Sequence, residues 1–588
     1  MKRPKTDFKK TARSTFWGST KGGAAALVCG MLFLVSTAFA GNGNRKVAED
    51  LNTANLGSQP VDVIVQYTTT PGSKHFHRAQ GHGGQVRKQL GLVKAVVYSI
   101  PADQVASLVD EDSDIAYVSP DRPVASSGYT DGFVAVNADV ASSYGYDGTG
   151  VTVAIVDSGI STTHPDLQGS VVYAQDFTGE GTNDYYGHGT HVAGIVAGNG
   201  SKSSCYSCFL TYMGIAPNVN LVNLKVLDHN GAGSDSNVIA AIQTAISLKS
   251  TYNIRIINLS LGRGIYESYA TDPLTQAVEQ AWKAGIFVVV AAGNYGRDNS
   301  NNNNGYGTIT SPGNDPYVIT VGAMRTMGTQ TRTDDAIASY SSKGPSILDH
   351  VVKPDIVAPG NQTTSLLAAN STLSTIVPPL PMSAYRYNAN WNSSYYFTLS
   401  GTSMAAPEVA GAAALMLQKN SSLTPDQLKA RLMKTAYKNL VQFSAATDPV
   451  TGITYNEQAD IFTVGAGYLD VAAALNNTDS ASSTVGVANS PTASFDPLTG
   501  QVTLVNGSSV LWGNSVLWGN SVVWGTSVIW GSNTLGQSVL WGNSVIWGSS
   551  TTQGFSVLWG NSCSPTSVIW GANTSAGSSM SVLAGGDQ

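Results

Sequence analysis

The chain has 588 residues and a formal net charge of -6, and only 12% of its residues are charged. Such a length exceeds what one hydrophobic core supports, so we expect several domains. The weakly acidic balance argues against a nucleic-acid partner, which would favour a basic patch. Low charge with abundant glycine, asparagine, serine and threonine is typical of an exported protein.

Residues 1–40 have the pattern of a secretory signal peptide. Seven lysine and arginine residues precede an apolar run at 24–35, and Ala38 and Ala40 supply the small residues of a signal-peptidase site. The apolar run is shorter than the ~20 residues needed to span a bilayer. We therefore predict an exported and released protein, with an uncleaved N-terminal anchor as the alternative.

Residues 61–121 predict a small α+β unit. Alternating apolar residues indicate strands at 61–67, 94–100 and 115–120. A helix at 102–112 would place its apolar residues on one face.

Residues 127–476 predict an α/β domain with a doubly wound parallel sheet. Apolar strand-like runs alternate with helical patterns, and strands separated by helices imply right-handed crossovers. Ligands of such folds bind at the carboxyl ends of the strands. The predicted strands are 151–156, 221–227, 254–259, 286–291 and 317–321.

Four residues with reactive side chains stand at predicted strand or helix ends. Asp157 and Asn294 end apolar strands, His188 lies just before a helical run of small residues, and Ser403 lies at or just before the first turn of another helix. The N–H groups and partial positive charge of a helix N-terminus stabilise the oxyanion that forms when a serine attacks a carbonyl. The serine also needs a base and an orienting group, which His188 and Asp157 can supply.

Each of these residues also has a simpler interpretation. Asp157 and Ser403 could be helix caps, His188 a hydrogen-bonded core residue and Asn294 a turn residue. Their joint occurrence in one order, each beside the expected strand or helix, favours a catalytic set.

The segments VDSG, GHGTHVAG, AAGN and GTSMAAP resemble, in this order, those of the subtilisin-like serine peptidases. The resemblance covers about residues 131–476. It implies that Ser403 is the nucleophile, His188 the general base and then acid, and Asp157 the group that orients the imidazole. Asn294 and the backbone N–H of Ser403 would form the oxyanion hole. No cofactor is required for this chemistry.

The resemblance also implies that residues 41–126 are an inhibitory propeptide, cut near 124–129 and acting on the chain's own cleft. An attached binding module is the alternative. The substrates would be proteins or peptides. One backbone segment would pair with the extended backbone of the substrate. A second segment would form the walls of the pocket for the substrate side chain before the scissile bond, which is expected to be apolar or aromatic, and residues 305–313 would form the floor of this pocket. The residues of the two segments are Ser260, Leu261 and Gly262, and Ala291, Ala292 and Gly293.

Three features depart from the family pattern. An insertion at 366–396 is expected to be a lid over the cleft or a surface excursion. Asp166 matches a family calcium ligand, although a cap or turn role competes, so structural calcium is an open expectation. We favour a strained disulfide between Cys205 and Cys208, with Cys563 free or intermolecular, because a zinc site would need further ligands.

A polar linker at 477–509 leads into a repeat tail at 510–588. The hexad SVLWGN recurs there, and no charged residue occurs from 510 to 586. A six-residue period suits short strands with Gly-Asn turns or a β-solenoid, so we predict a β-type tail. Its tryptophans either contact a cell surface, a glycan or another protein, or form the core of a small stalk, which we favour. The tryptophans of the hexads are 512, 518, 524, 530, 541, 547, 559 and 570.

Two functions follow from the sequence. The first is a secreted, extracellular serine endopeptidase that is made as a self-processing zymogen, with cell-surface association through the tail as an option. The second is a surface-attachment protein whose peptidase domain mainly processes itself. The intact Asp157, His188, Asn294 and Ser403 favour the first function.

Overall fold

The computed structural model describes residues 46–48, 51, 56–126, 135–204, 211–300, 303–329, 331–376, 393–449, 451–496 and 501–505. It also describes the backbone of short stretches between 511 and 541, and residues 586–587. The predicted signal peptide 1–40 and all four cysteines lie outside the described residues. Within the described part of the chain, no helix is long and apolar enough to cross a bilayer.

Residues 60–120 form an antiparallel sheet with two helices. The elements are β1 (Pro60–Tyr67), α1 (Ser73–Gly81), β2 (Gln85–Leu90), β3 (Ala95–Pro101), α2 (Val105–Glu111) and β4 (Ile115–Pro120). The strand order is β2-β3-β1-β4. Successive residues of a strand point to opposite faces, so Val63 and Val65 enter a core within this unit while Ile64 packs into the core of the large domain. The predicted helix at 102–112 is shorter, because a 3₁₀ turn, Ala102–Gln104, precedes it.

A parallel sheet dominates the large domain, in the strand order β14-β13-β12-β10-β6-β8-β7, with β15 paired to β13. All six residues of β6 are buried, as expected for a parallel strand that is covered on both faces. The strands that follow β4 are β5 (Pro123–Ser126), β6 (Thr152–Asp157), β7 (Val171–Asp176), β8 (Asn220–Lys225), β9 (Ala232–Ser234), β10 (Ile254–Leu259), β11 (Leu261–Gly262), β12 (Phe287–Ala291), β13 (Ile319–Arg325), β14 (Ala336–Ile337), β15 (Ile356–Asn361), β16 (Thr363–Leu366) and β17 (Tyr396–Leu399).

Two pairs of helices cover the sheet. Helices α4 and α8 pack against each other and contact β6, while α5 and α6 form the second pair. The predicted α/β class is therefore confirmed for this domain, and the strands shift from the predictions by no more than a few residues. The helices are α3 (Ala138–Ser143), α4 (His188–Ala197), α5 (Asp235–Tyr252), α6 (Pro273–Lys283), α7 (Thr372–Ile376), α8 (Thr402–Lys419), α9 (Pro425–Thr435) and α10 (Val471–Asn476).

The segment predicted as a linker at 477–509 differs from that prediction, because its first part packs on the domain. Ser490 is buried and donates to Asp355 at 2.5 Å. The N–H of Ala488 donates to Asp426 at 2.9 Å. The remaining strands are β18 (Phe443–Thr447), β19 (Thr454–Gln458), β20 (Thr492–Asp496) and β21 (Gln501–Val505), which form two hairpins.

Apart from residues 586–587, the repeat tail is described only as short pieces of backbone. These are β22 (Leu511–Trp512), β23 (Ser515–Val516), β24 (Ser521–Val522), β25 (Val528–Trp530) and β26 (Val539–Trp541), and all the pairs among them are antiparallel. The later hexads lie outside the described residues, so the predicted β-type tail stays a prediction.

Candidate active site

Strand β6 and helix α4 bring an aspartate and a histidine together. Asp157 is the last residue of β6, and His188 is the first residue of α4. Both side chains are buried, and Nδ1 of His188 lies 2.8 Å from Oδ1 of Asp157. A carboxylate at Nδ1 holds the proton there and leaves Nε2 to act as the base.

A second buried aspartate ties these two elements together. Asp184 accepts hydrogen bonds from Ser158 Oγ at 2.8 Å, Gly187 N at 2.6 Å and Thr190 N at 2.7 Å. Burial raises the pKa of Asp184, and these hydrogen bonds oppose the shift. Asp184 thus fixes the start of α4 relative to the turn after Asp157. The sequence analysis missed it, because Asp184 lies three residues before the N-cap Gly187 and the capping pattern concerns the N-cap itself.

The close approach of α4 to that turn requires a glycine. A Cβ at Gly189 would lie 2.2 Å from the carbonyl oxygen of Gly159 and 3.2 Å from Oδ1 of Asp157. Any side chain at this position would therefore push the histidine-bearing helix away from Asp157.

Ser403 is the second residue of α8 and lies in the first turn of the helix, as predicted. The first four N–H groups of a helix have no partner within the helix. The N–H of Ser403 is one of them and is available in principle to an oxyanion. In the described conformation Ser403 Oγ donates to the carbonyl oxygen of Ser260 at 3.0 Å.

A proline in α8 makes this contact reciprocal. Pro407 lacks an N–H, so the carbonyl of Ser403, four residues earlier, has no intrahelical donor. Ser260 Oγ donates to that carbonyl at 2.7 Å, and Asn258 Nδ2 donates to Ser260 Oγ at 2.9 Å. Ser260, predicted to bind substrate, therefore also holds the serine-bearing turn.

The amide of Asn294 is oriented by the residue before Ser403. Its Oδ1 accepts from Thr402 N at 2.9 Å and from Thr402 Oγ1 at 3.1 Å. Because Oδ1 is the accepting end, Nδ2 is the end that donates elsewhere. Thr402 Oγ1 also accepts from Gly293 N at 3.1 Å, which fixes the loop that carries Asn294.

The predicted substrate-binding segments border an edge that β5 occupies. Gly262 pairs with Ala125 and Leu261 with Ser126 in antiparallel register, and β9 pairs with the other side of β5. An extended segment of the chain's own N-terminal part thus fills the middle of a three-stranded sheet. The predicted cut near 124–129 begins in β5 and continues into residues outside the described part.

Thr310 joins the two predicted substrate segments. Its N–H donates to the carbonyl of Ala292 at 3.1 Å. A Cβ at Gly262 would lie 2.7 Å from Thr310 Oγ1, and a Cβ at Gly293 would lie 2.7 Å from Thr310 Cγ2. Both glycines allow this close packing, and Ala291 and Ala292 are buried beside them. The predicted floor at 305–313 accordingly lies next to both segments.

The insertion predicted at 366–396 leaves from β16 and returns through β17, which pair with each other. Its helix α7 lies against the loop before His188, because Thr372 N donates to Tyr185 O at 2.8 Å and Leu373 N to Tyr186 O at 2.9 Å. Residues 377–392 lie outside the described part, so the choice between lid and surface excursion stays open.

Asp166 is surrounded by hydrogen-bond donors. Ser201 Oγ and Lys202 N donate to its Oδ1 at 2.7 and 3.0 Å, and the hydroxyl of Tyr396 donates to its Oδ2. Calcium requires oxygen ligands that face the ion, and these donors occupy the carboxylate instead. The surroundings of Asp166 do not fit the calcium ligand suggested by the sequence, and structural calcium stays a prediction.

Comparison with known proteins decides the family. The sequence model of the Subtilase family matches residues 148–487, more than half of the chain. The chain belongs to the subtilase family. All four proposed catalytic residues of this subtilase, Asp157, His188, Asn294 and Ser403, lie within the matched segment.

Individual relatives match over different lengths. Serine protease AprX of Bacillus subtilis (strain 168) is 43% identical over 289 residues, 48% of this chain and 60% of that protein. Subtilisin E of the same organism is 34% identical over 359 residues, 60% of this chain and 78% of that protein. This subtilase therefore spans about three fifths of AprX and nearly four fifths of subtilisin E.

A solved structure supports the fold. The crystal structure of fervidolysin from Fervidobacterium pennivorans, described as a keratinolytic enzyme related to subtilisin, matches with a TM-score of 0.53. The match covers 71% of this chain and 61% of that one at 22% identity, so it concerns the fold alone.

Proposed function

We propose that this subtilase is a secreted serine endopeptidase that hydrolyses peptide bonds of proteins through an acyl-enzyme. The observation that carries the proposal is the buried pair of His188 and Asp157, 2.8 Å apart, in a chain whose family consists of serine peptidases. A buried imidazole held by a carboxylate has the tautomer that a serine nucleophile needs.

The proposed reaction uses five groups of the site. Ser403 Oγ turns from the Ser260 carbonyl, loses its proton to His188 Nε2 and attacks the substrate carbonyl. Asp157 stabilises the resulting imidazolium, and the N–H of Ser403 and the Asn294 amide donate to the oxyanion. His188 then protonates the leaving amine. In the second half of the reaction, water gives a proton to His188 and attacks the acyl carbonyl, and His188 returns that proton to Ser403 Oγ as the acid product leaves.

We also propose that the chain is made as a self-processing zymogen, with residues 41–126 as its inhibitor. Three contacts support this. Strand β5 fills the cleft edge, Lys88 donates to Asn237 of α5 at 2.7 Å, and Arg122 forms a buried ion pair with Glu267. An inhibitor that lies along the edge meant for substrate must be cut and leave before substrates enter.

A second candidate is a surface-attachment protein whose peptidase domain mainly processes itself. The stretch from 510 to 586, which is free of charge and rich in tryptophan, favours it, because stacked aromatic residues suit sugar rings or another protein. The same stretch would place the secreted protein at the cell surface.

Mass spectrometry of the exported wild type and of Ser403→Ala, with casein hydrolysis on the same samples, tests both candidates. We expect only the wild type to lose its N-terminal residues up to about Ser127, and turnover to fall by about 10⁶ in the variant. Processing of the wild type alone, with no casein hydrolysis, would favour the attachment candidate. Identical processing of both proteins, with no casein hydrolysis by either, would contradict self-processing and the endopeptidase function and leave surface attachment without self-processing.

A further inference from the structure

The dipeptide Gly586–Asp587, which lies in the tail segment 510–588 after the last hexad, occupies a polar socket of the large domain. Asp587 is buried. Its Oδ1 accepts from Arg297 Nη2 at 2.7 Å and from Ser339 Oγ at 2.6 Å, and its Oδ2 accepts from Ser339 N at 2.6 Å. Arg325 Nε lies 3.8 Å from Oδ2 and adds a second positive charge. Both carboxylate oxygens are therefore matched by donors.

The socket also recognises the backbone of the dipeptide. The side-chain amide of Asn361 accepts from Asp587 N at 2.9 Å and donates to Asp587 O at 3.2 Å, which is the pair of hydrogen bonds that the backbone of a neighbouring strand would make. Arg297 Nη2 reaches the carbonyl of Gly586 at 3.3 Å. Asn361 thus binds the main chain of Asp587, and Arg297 binds both the carboxylate of Asp587 and the carbonyl of Gly586.

Only glycine fits before the aspartate. Gly586 has φ +57, and a Cβ there would lie 2.3 Å from Ser400 Oγ and 2.7 Å from Asn361 Oδ1. The position therefore excludes larger residues by both backbone conformation and space.

We propose that Arg297, Arg325, Ser339 and Asn361 form a binding socket for a Gly-Asp peptide, and that residues 586–587 of the same chain are its occupant. A buried carboxylate is tolerated only when charges and donors surround it, and the socket supplies both. The return of the chain to this socket attaches the far side of the repeat tail to the large domain.

The socket adjoins the segment that leads to Ser403. Gln362 N donates to Ser400 Oγ at 3.2 Å, and Gly401 N donates to the Gly360 carbonyl at 2.6 Å. Occupancy of the socket therefore stabilises the strand ends that hold the turn before α8.

Binding in trans tests the proposal without using catalysis. The chain carrying Ser403→Ala is shortened after residue 585 and titrated with the peptide LAGGDQ, which reproduces residues 583–588, by calorimetry. The matched peptide LAGGNQ has an amide in place of the carboxylate. We expect LAGGDQ to bind at least tenfold more tightly than LAGGNQ and to raise the melting temperature of the shortened chain.

The uncut chain gives the second measurement. Asp587→Asn and Gly586→Ala should each lower its melting temperature, while Asp479→Asn, which neutralises a half-exposed aspartate outside the socket, should not. Equal binding of the two peptides, or melting temperatures of Asp587→Asn and Gly586→Ala equal to that of the parent, would overturn the proposal. A melting temperature that rises with protein concentration would instead place the dipeptide of a second copy in the socket and would also overturn it. The proposed peptidase function would be unaffected by any of these results.

Discussion

The Asn294 amide depends on Thr402 for its orientation. Asn294→Ala should lower kcat by about 10² to 10³, the usual cost of an oxyanion donor. Thr402→Val removes one of the two hydrogen bonds to Oδ1 and should lower kcat by up to about tenfold, whereas Thr402→Ser should retain activity. In the Asn294→Ala background, Thr402→Val should have little further effect. Steady-state kinetics on a peptide substrate measures this, and additive losses would show that Thr402 acts independently of the amide.

Residues of the site differ in how far the sequence could predict them. Asp157 and His188 stand at element ends within family-like motifs, so their approach could be expected, and the structure places them in contact. Asp184 accepts three hydrogen bonds from the turn after Asp157 and the start of α4, and Thr402 and Thr310 contact segments that are distant in sequence. No periodicity marks such contacts, so they appear only in the folded chain.

Helix α8 and the end of β10 are coupled through Pro407. In an inactive Ser403→Ala background, which keeps the backbone carbonyl, Ser260→Ala should cost about 1–3 kcal/mol because a buried carbonyl loses its donor. Pro407→Ala restores an N–H four residues after that carbonyl. The decrease in the free energy of unfolding caused by Ser260→Ala should therefore be much smaller in the Pro407→Ala background. Denaturant unfolding of the four proteins measures the coupling, and an equal cost in both backgrounds would refute it.

The contact between the N-terminal unit and the large domain depends on Arg122. Its guanidinium pairs with Glu267 and lies over the ring of Tyr266, 5.4 Å from the centroid. Arg122→Gln would leave Glu267 buried without its cation, which typically costs 2 to about 5 kcal/mol. Directly after cleavage, before the N-terminal unit leaves, the wild type should retain this unit on size-exclusion chromatography for longer than Arg122→Gln does. Arg87→Gln, at a pair with more than half of each side chain exposed, is the matched control; retention by both variants would exclude this role for Arg122.

At the level of elements, alternation and helical periodicity predicted the parallel strands well because each is bounded by polar turns. The segment at 477–509 was predicted as a linker from its polarity. Its anchoring residue Ser490 donates to a carboxylate on another element, and composition cannot reveal a partner that lies 135 residues away.

The molecule as a whole buries several carboxyl groups that titrate near neutrality. Burial raises the pKa of Asp335 and Glu457 to about 7 and that of Asp460 to about 6. A carboxyl whose folded pKa lies above its unfolded value binds more protons in the folded state, so its contribution to stability is full below about pH 4 and is lost as pH rises through the folded pKa. Burial likewise lowers the pKa of Lys438 to about 7, so its contribution to the pH dependence, a rise in stability with pH, begins only near that pH.

Between pH 5 and 7 these carboxyl groups make the free energy of unfolding of the Ser403→Ala chain fall as pH rises, while His164, His191 and His350, whose pKa burial lowers, act in the opposite direction. Glu457→Gln removes one titrating group and should reduce this fall. Relative to that of its parent, the free energy of unfolding of the variant should increase by on the order of 3 kcal/mol between pH 5 and 8. The exposed Asp139→Asn serves as the control and should leave the slope unchanged. Denaturant unfolding at five pH values measures both variants. An equal pH dependence of the parent and of Glu457→Gln would mean that Glu457 is ionised in the folded state throughout this range, with Lys343, 2.6 Å from Glu457, as the stabilising cation.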